Sequence, residues 1–426
     1  MIIENKNQLS DFLKGYNSQD SIIIPIQNDE NKHPIDDGIC LLYIQLMDGD
    51  EYILPINHSE TLNVDLPDLD SDTKKFTTDK KYLQHLLPLS NIIDVNLINY
   101  CVKGVPLSLD EISTNAHNFF QMTHYKKSNI NTVIPVLKHV ERCRKVCKVL
   151  KKTIERHLNE LNGVYNESIL DSLQYVEQNG LQTKDGMVYS EYNIFTSTGR
   201  PSNRFGGINF AALNKKDGSR EQFVSRFGGD GVLVEMDFDA YHLRLIADKV
   251  GYEFPQGSVH EHMAQFYGVD YEEAKRLSFQ YLYGYIPQEV VELNPYFGKV
   301  SDYIRELWEE FKSRDFIESD IYNRQIHKKN LTDMNANKLF NYTIQLMETE
   351  NNMRVLNKLI PQIKDFSSKL ILYSYDSFLL DFNMEDGLDY LMKVKNILEQ
   401  DGKYPVKVSW GLNYHEMKDI TEKFVD

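Results

Sequence analysis

The chain lacks any apolar run of about 18 or more residues, so no segment reads as a membrane span. Its opening residues, MIIENKNQLSDF, carry charge where a secretory leader needs an apolar core, and the expectation is an intracellular, cytoplasmic chain. Cysteine is scarce: Cys40, Cys101, Cys143 and Cys147. Cys143 and Cys147 form a lone C-x3-C without the second ligand pair of a structural zinc site, so they read as thiols in a reducing compartment. There is no internal repeat and no low-complexity tract, which excludes solenoids and linker-like chains. Positive charge is also short. The net charge of −16 taken alone argues against nucleic acid as a partner.

The distribution of charge says otherwise. Between Lys126 and Arg156 there are ten Lys or Arg against two Glu, a net of +8 on a chain whose remainder carries −24. A basic segment on an acidic body suits local tracking of phosphates, or a solvated helix face. With 426 residues, 41% apolar and 26% charged, the chain is expected to fold into about two or three globular domains. Residues 21–56 alternate like strands, with a turn at Asp48-Gly49, and 79–103 reads as mixed helix and short strand. Residues 131–160 have helical periodicity, with Val133, Val136, Val140, Val146 and Leu150 on one face and a break at Asn162-Gly163. A second helix is expected over 167–179. Further on, β-like runs (GVLVEMDFD, KLILYSYDSFLLDF, YPVKVSWGL) are separated by helical stretches near 260–283, 297–314 and 337–360. Distant strands around a helical insertion predict an antiparallel sheet carrying a helical subdomain, an α+β plan.

Two of the β runs are broken by an acid, Asp237 and Asp376. A carboxylate on a buried strand is costly unless it meets a cation or a partner. Two on adjacent strands suit a pair of Mg²⁺ ions, the clamp for in-line phosphoryl transfer. A single such acid would read as a strand-end cap.

The surrounding segments bear on this pair. Thr196–Ser202 (TSTGRPS) resembles the TxTGRLSS segment of the family A, DNA polymerase I-like, DNA polymerases. Ser219-Arg220-Glu221-Gln222-Phe223 is similar to that family's R-x-x-F run, and Asn209 stands near its LQN. DFDAYHLRLIA resembles motif A, and AKRLSFQYLYG resembles motif B (K-x3-F-x3-YG). Asn341-x3-Gln345 is similar to the segment before motif C, Tyr375-Asp376-Ser377 stands where the family has His-Asp-Glu, and VSWGLNYHEM resembles the closing G-x-N-W segment. The pieces follow the family's order over residues 187–426.

The resemblance implies roles. Asp237, Asp376 and Lys275 are the catalytic positions, and Asp237, Asp376 and Phe238 the metal-holding ones. Lys275, Phe279, Tyr283, His242 and His260 are implied to bind the nucleotide. Arg200, Asn209, Arg220, Asn341, Gln345 and Tyr375 are implied to contact DNA, joined by Lys145, Lys148 and Lys152 of the basic helix. The spacing agrees to this extent: Lys275 and Phe279 lie four apart on one helix face, with Tyr283 one turn on.

Four departures stand out. The Arg that usually precedes the motif B Lys by four is Tyr271, which leaves Arg276 or Lys249 to compensate. The motif A Glu that gates the ribose 2′-hydroxyl is His242. The motif C Glu is Ser377, and Asp-Ser-Phe at 376–378 also resembles the single-subunit phage-type RNA polymerases. Finally, the N-terminal strands resemble the 3′–5′ exonuclease domain of the same family, but Pro25-Ile26-Gln27 and Lys81-Tyr82-Leu83 stand where its acids belong. The expectation there is a degenerate domain without proofreading, with Asp29, Glu30, Asp36 and Asp37 decorating a loop.

The expected architecture is therefore α+β: a right-hand polymerase whose palm has an antiparallel sheet, with helical fingers and thumb, preceded by a small α/β ribonuclease H-like exonuclease-type domain. The expected boundaries are 1–122 exonuclease-like, 123–186 thumb, 187–250 and 336–426 palm, and 251–335 fingers. The expected activity is DNA-directed DNA synthesis with two Mg²⁺ ions, Mn²⁺ being able to substitute. The expected partners are primer–template DNA, dNTPs and replisome proteins, with no membrane and a monomeric chain. Small size and worn motifs suggest a virus or phage. The alternatives are an RNA polymerase or primase-like enzyme and a catalytically weak DNA-binding accessory protein.

Overall fold

The structure, a computed structural model, describes residues 1–109, 129–158, 168–203 and 208–424. Lys126, Lys127, the Asn162-Gly163 break and the 122/123 boundary lie outside the described residues. Two compact units are present, Met1–Gln174 and Tyr175–Asp426.

The first unit runs α1 (Lys6–Tyr16), β1 (Ser21–Gln27), β2 (Ile39–Leu46), β3 (Glu51–Pro55), β4 (Lys75–Thr77), α2 (Lys80–Leu86), β5 (Ile92–Asp94), α3 (Val95–Lys103) and α4 (Val136–His157). Its sheet has the order β3-β2-β1-β4-β5, with β1 in the centre, antiparallel to β2 and parallel to β4. The sheet is covered on both sides, so its strands are nearly continuous hydrophobic runs. Ile22 and Ile26 of β1, with Leu41 and Tyr43 of β2, pack against Val140, Cys143, Cys147 and Leu150 of α4. Ile23, Leu42 and Ile44 point the other way, into a core with Phe12 and Tyr16 of α1 and Leu83 of α2. This is the period-two alternation of a strand read out by two helical layers. Truncating Ile23 to Ala would cost about 2–5 kcal/mol.

The helix α4 starts at Val136, after Pro135 at the N-cap position, and the Val136 N–H donates to Glu60 at 2.8 Å. Val133 precedes the helix and is exposed, so it is not part of the apolar face. Cys143 and Cys147 lie on that face, where burial pushes the Cys147 thiol up to about 12 and Cys143 higher still. The opposite face carries Lys145, Lys148 and Lys152 as an exposed stripe. Arg144 is instead tied to Glu51 by bonds of 2.8 and 2.6 Å, and Arg142 to Glu30 at 3.2 Å.

The division between the units falls within α5 (Ser168–Asn179). The second unit continues with short strands β6 (Leu181–Thr183), β7 (Gly186–Val188), β8 (Tyr192–Asn193), β9 (Ser202–Asn203) and β10 (Phe223–Val224), then β11 (Gly231–Phe238). A helical block follows: α6 (Tyr241–Lys249), α7 (Val259–Tyr267), α8 (Tyr271–Tyr283), α9 (Gln288–Leu293), α10 (Pro295–Ser313), the hairpin β12 (Phe316–Glu318) and β13 (Gln325–His327), and α11 (Ala336–Ile363). The chain closes with β14 (Lys369–Ser374), β15 (Ser377–Asn383), α12 (Gly387–Glu399), β16 (Val406–Gly411) and β17 (Lys418–Asp419).

The second sheet has the order β14-β15-β11-β16-β17, antiparallel throughout, with β11 in the centre. The helical block has its own core, in which Leu243 and Ile246 of α6 meet Met263 of α7, Leu282 of α8, Tyr296 and Phe297 of α10 and Ile344 of α11. The mixed α+β plan read from the sequence is present. The stretch read as one helix near 260–283 is two, because Gly268 ends α7 at a left-handed φ of 64°. Among the described residues no helix is long and apolar enough to cross a membrane.

Candidate active site

The second sheet sets two carboxylates beside each other. Asp237 sits near the carboxyl end of β11, in register with Ser377 of β15 on one side and Lys407 of β16 on the other. Asp376 precedes Ser377 in the two-residue turn between β14 and β15. The Phe238 N–H donates to the Asp376 carbonyl at 3.0 Å, which fastens that turn to β11. Tyr375 occupies the turn at a left-handed φ of 60°. Its carbonyl accepts from Asn352 Nδ2 at 2.6 Å, and its ring lies under the Arg200 guanidinium, 3.6 Å from centroid to Cζ.

Both carboxyls are pushed above the usual carboxylate range. For Asp237 the cause is burial, then the charges of Asp376 and Glu235; for Asp376 it is burial, then the charge of Glu348. Neither makes an ion pair among the described residues, in contrast to Asp381 on the same sheet. Asp381 is fully buried but accepts from Arg226 Nε at 2.8 Å and Ser225 Oγ at 2.6 Å. Two crowded carboxylates without a paired cation are a donor set that fits a hard divalent ion. Phe238 can add only its main-chain carbonyl, since its ring is stacked on Tyr241 at 4.1 Å.

These acids form one side of a cavity of about 400 Å³. Lys275, Phe279 and Tyr283 of α8 line it from the helical block. Phe279 and Tyr283 are stacked with rings 4° from parallel. His260 of α7 also lines it, and burial holds its ring down at about 4, so it is neutral at ordinary pH.

A third group of residues closes the cavity. Glu348 of α11 is 1% exposed and forms an ion pair with Arg200, whose Nε lies 2.8 Å from Oε2 and whose Nη2 donates to Oε1 at 3.3 Å. Its other neighbour is His242 Nε2 at 3.4 Å, while His242 Nδ1 meets the Tyr283 hydroxyl at 2.6 Å. Arg200 is aimed by the turn before it. Gly199 has φ of 73°, and a Cβ there would meet the Arg324 guanidinium at 2.8 Å, so glycine is needed.

Of the residues singled out in the sequence, the cavity brings together Asp237, Asp376, Phe238, Lys275, Phe279, Tyr283, His242, His260 and Arg200. Tyr375 touches Arg200 from outside. Asn341 Nδ2 donates to the Tyr283 carbonyl at 3.0 Å, and Gln345 Oε1 accepts from Thr198 at 3.1 Å. Asn209 is exposed at a turn. Arg220 is turned inward: it donates to the Leu213 carbonyl at 3.1 and 3.0 Å and lies over the Tyr414 ring. Lys145, Lys148 and Lys152 belong to α4 of the first unit. The two residues offered in place of the motif B Arg are elsewhere, since Arg276 pairs with Glu273 on an exposed face and Lys249 pairs with Asp320 beside a different cavity.

Sequence reading missed Asp239, Glu348 and Lys407, which also line the cavity. Glu348 had a signal. Asn341, Gln345, Glu348 and Asn352 recur at helical spacing, a polar stripe on a helix whose middle is buried.

No protein-family model matches this sequence, and no curated protein does. Among solved structures, the fold is similar to that of the POL domain of Pol1 from M. smegmatis, determined in complex with DNA primer-template and dNTP. The TM-score is 0.70 at 15% identity, over 97% of this chain and 99% of that one. The chain thus has a fold similar to that of a DNA polymerase domain.

Proposed function

We infer that the protein is a DNA-directed DNA polymerase that extends a primer 3′-hydroxyl with dNTPs by two-metal phosphoryl transfer and has no proofreading. The observation that carries this reading is the pair Asp237 and Asp376, crowded, without an ion-pair partner, and facing Lys275 across one cavity. Asp237, Asp376 and the Phe238 carbonyl would hold two Mg²⁺ or Mn²⁺ ions, which supply an activated 3′-oxygen and a neutralised pyrophosphate leaving group. Lys275 pairs with phosphate oxygens as a point charge. Phe279 and Tyr283 pack on the sugar and base of the incoming nucleotide. His242, held between Glu348 and Tyr283, stands against the ribose 2′ position. Arg200, Asn341 and Gln345 face primer and template.

In this reading the second sheet is the palm, the helical block from 251 to 335 the fingers, residues 123–186 the thumb and residues 1–122 an exonuclease-like domain. The strand order around β1 supports a ribonuclease H-like ancestry for the last. What supports the loss of excision is the carboxyl end of β1. Gln27 is buried there and donates from Nε2 to the carbonyls of Asp29 and Lys32. The nearby acids serve the loop itself: Asp29 accepts from Asn31, and Asp37 accepts from the Asp29 N–H at 2.7 Å.

The test is Mg²⁺-dependent extension of a primed DNA template, with matched and 3′-mismatched primers and with dNTPs against NTPs. Extension with dNTPs and no shortening of the mismatched primer is expected. His242 in the gate position motivates one rival, an RNA polymerase or primase-like enzyme, which preferential use of NTPs would favour. Template binding without extension would favour an accessory DNA-binding protein.

A further inference from the structure

Besides Lys275 and Arg200, the cavity has a further cation, beside the acids, that no motif points to. Lys407 lies on β16 in register with Asp237, so its side chain rises on the same face of the sheet. Its ammonium is 2.8 Å from Asp239 Oδ1, and the side chain is 46% exposed, at the cavity wall. Asp239 also holds Arg244, whose NH2 is 3.3 Å from Oδ2 and whose Nε donates to the Asp239 carbonyl at 3.0 Å. One carboxylate between two cations leaves a positive charge over. Burial alone would lower the Lys407 pKa, but Asp239 and the Tyr271 hydroxyl raise it, so the ammonium stays charged. Lys407, Lys275 and the buried His260 all line this cavity. An ammonium has three donors; Asp239 takes one, and the side chain lines the cavity.

We propose that Lys407, held by Asp239, is a binding residue for the outer phosphates of the incoming nucleoside triphosphate, forming with Lys275 a two-lysine clamp drawn from two distant elements. The proposal rests on the polymerase reading for the identity of its ligand, and on the cavity geometry for the site. The contact is a phosphate one, so it is indifferent to base and sugar.

The full chain is tested on primed template with Lys407→Gln and Lys407→Arg. A hydrogen bond to a charged group is expected to be worth a rise in nucleotide KM of roughly tenfold or more in Lys407→Gln, with most of the loss in kcat/KM carried by KM. Inhibition by inorganic tripolyphosphate should weaken in parallel, and Lys407→Arg should recover most of both. An unchanged KM with unchanged tripolyphosphate inhibition would overturn the proposal. So would a fall in kcat together with weaker primer–template binding, which is what a merely structural Lys407–Asp239 pair would give. If the wild-type chain does not extend primers at all, the polymerase reading fails. Calorimetric binding of tripolyphosphate to wild type against Lys407→Gln then decides this inference alone: weaker binding by the variant upholds it, equal binding overturns it.

Discussion

β1 and β11 are each the central strand of a five-stranded sheet, and they deliver opposite chemistry at their carboxyl ends. β1 ends on Gln27, a neutral amide whose donors are satisfied by main-chain carbonyls. A buried acid elsewhere on the same sheet is satisfied too. Asp94, at the end of β5, is 1% exposed and accepts from the Leu97 and Lys80 N–H groups at 2.8 and 2.9 Å, so it caps α3. β11 carries Asp237 one residue before its end, next to Asp376 and Glu235, with no ion pair of its own among the described residues. A buried acid with its donors in place holds a fold together. One without them costs stability and marks a place where a cation is wanted.

The largest expected effect separates the two ends by activity. Asp237→Ala or Asp376→Ala should lower metal-dependent primer extension by roughly a thousandfold or more, since metal-held charge stabilisation is worth several kcal/mol. Gln27→Ala should leave extension in place, because no step of the proposed reaction involves it. Near-normal extension by both Asp variants would erase the difference between the strands.

The next effect is on stability. Asp94→Ala leaves two buried N–H groups without an acceptor and removes a helix cap, and should cost about 2–3 kcal/mol in urea unfolding. A neutral result would mean that the acids of the first unit are as idle as decoration.

A pH test comes third. Burial depresses the His260 pKa from 6.5 to about 4. The unfolded chain takes up this proton as pH falls through 6.5 while the folded chain resists it until about 4. The stability associated with a neutral His260 is therefore full above pH 6.5 and is lost across that window, on the order of 2 kcal/mol in all. Unfolding of His260→Gln should lack this component; an identical pH dependence in wild type and variant would rule it out.

The smallest effect has the sign that sharpens the comparison most. Asp237→Asn should stabilise the metal-free protein by about 1–2 kcal/mol, because it removes a charge that burial and two neighbouring carboxylates disfavour. A loss of stability would show that Asp237 is a structural acid like Asp94.

Much of this plan is visible in the sequence, because local signals carry it. GVLVEMDF has the composition of a central strand, Tyr375-Asp376 interrupts a β run where the hairpin turns, and Lys275, Phe279 and Tyr283 keep helical spacing. The hidden parts depend on register between distant segments. Lys407 sits in V-K-V, the ordinary pattern of a lysine facing solvent, and only pairing with β11 some 170 residues earlier brings it to the cavity. Glu348 looks like one more polar residue on a long helix until Arg200, far upstream, closes on it. The apolar stripe of α4 is legible, but not that it covers β1 and β2. Helix α1 has only scattered apolar residues among polar ones and is fixed by Phe12 and Tyr16 entering the sheet's core.

The turn at Tyr375 limits how this sequence can drift. Its left-handed backbone disfavours most side chains, and Gly, Asn, Asp and His adopt it with the least strain. Its ring under Arg200 demands an aromatic. Only histidine meets both conditions, and tyrosine gives up backbone comfort to keep the stacking. A selection that randomised position 375 should return a narrow set, with His and Tyr at the top, Gly and Asn folding well but leaving Arg200 unsupported, and Val or Ile absent.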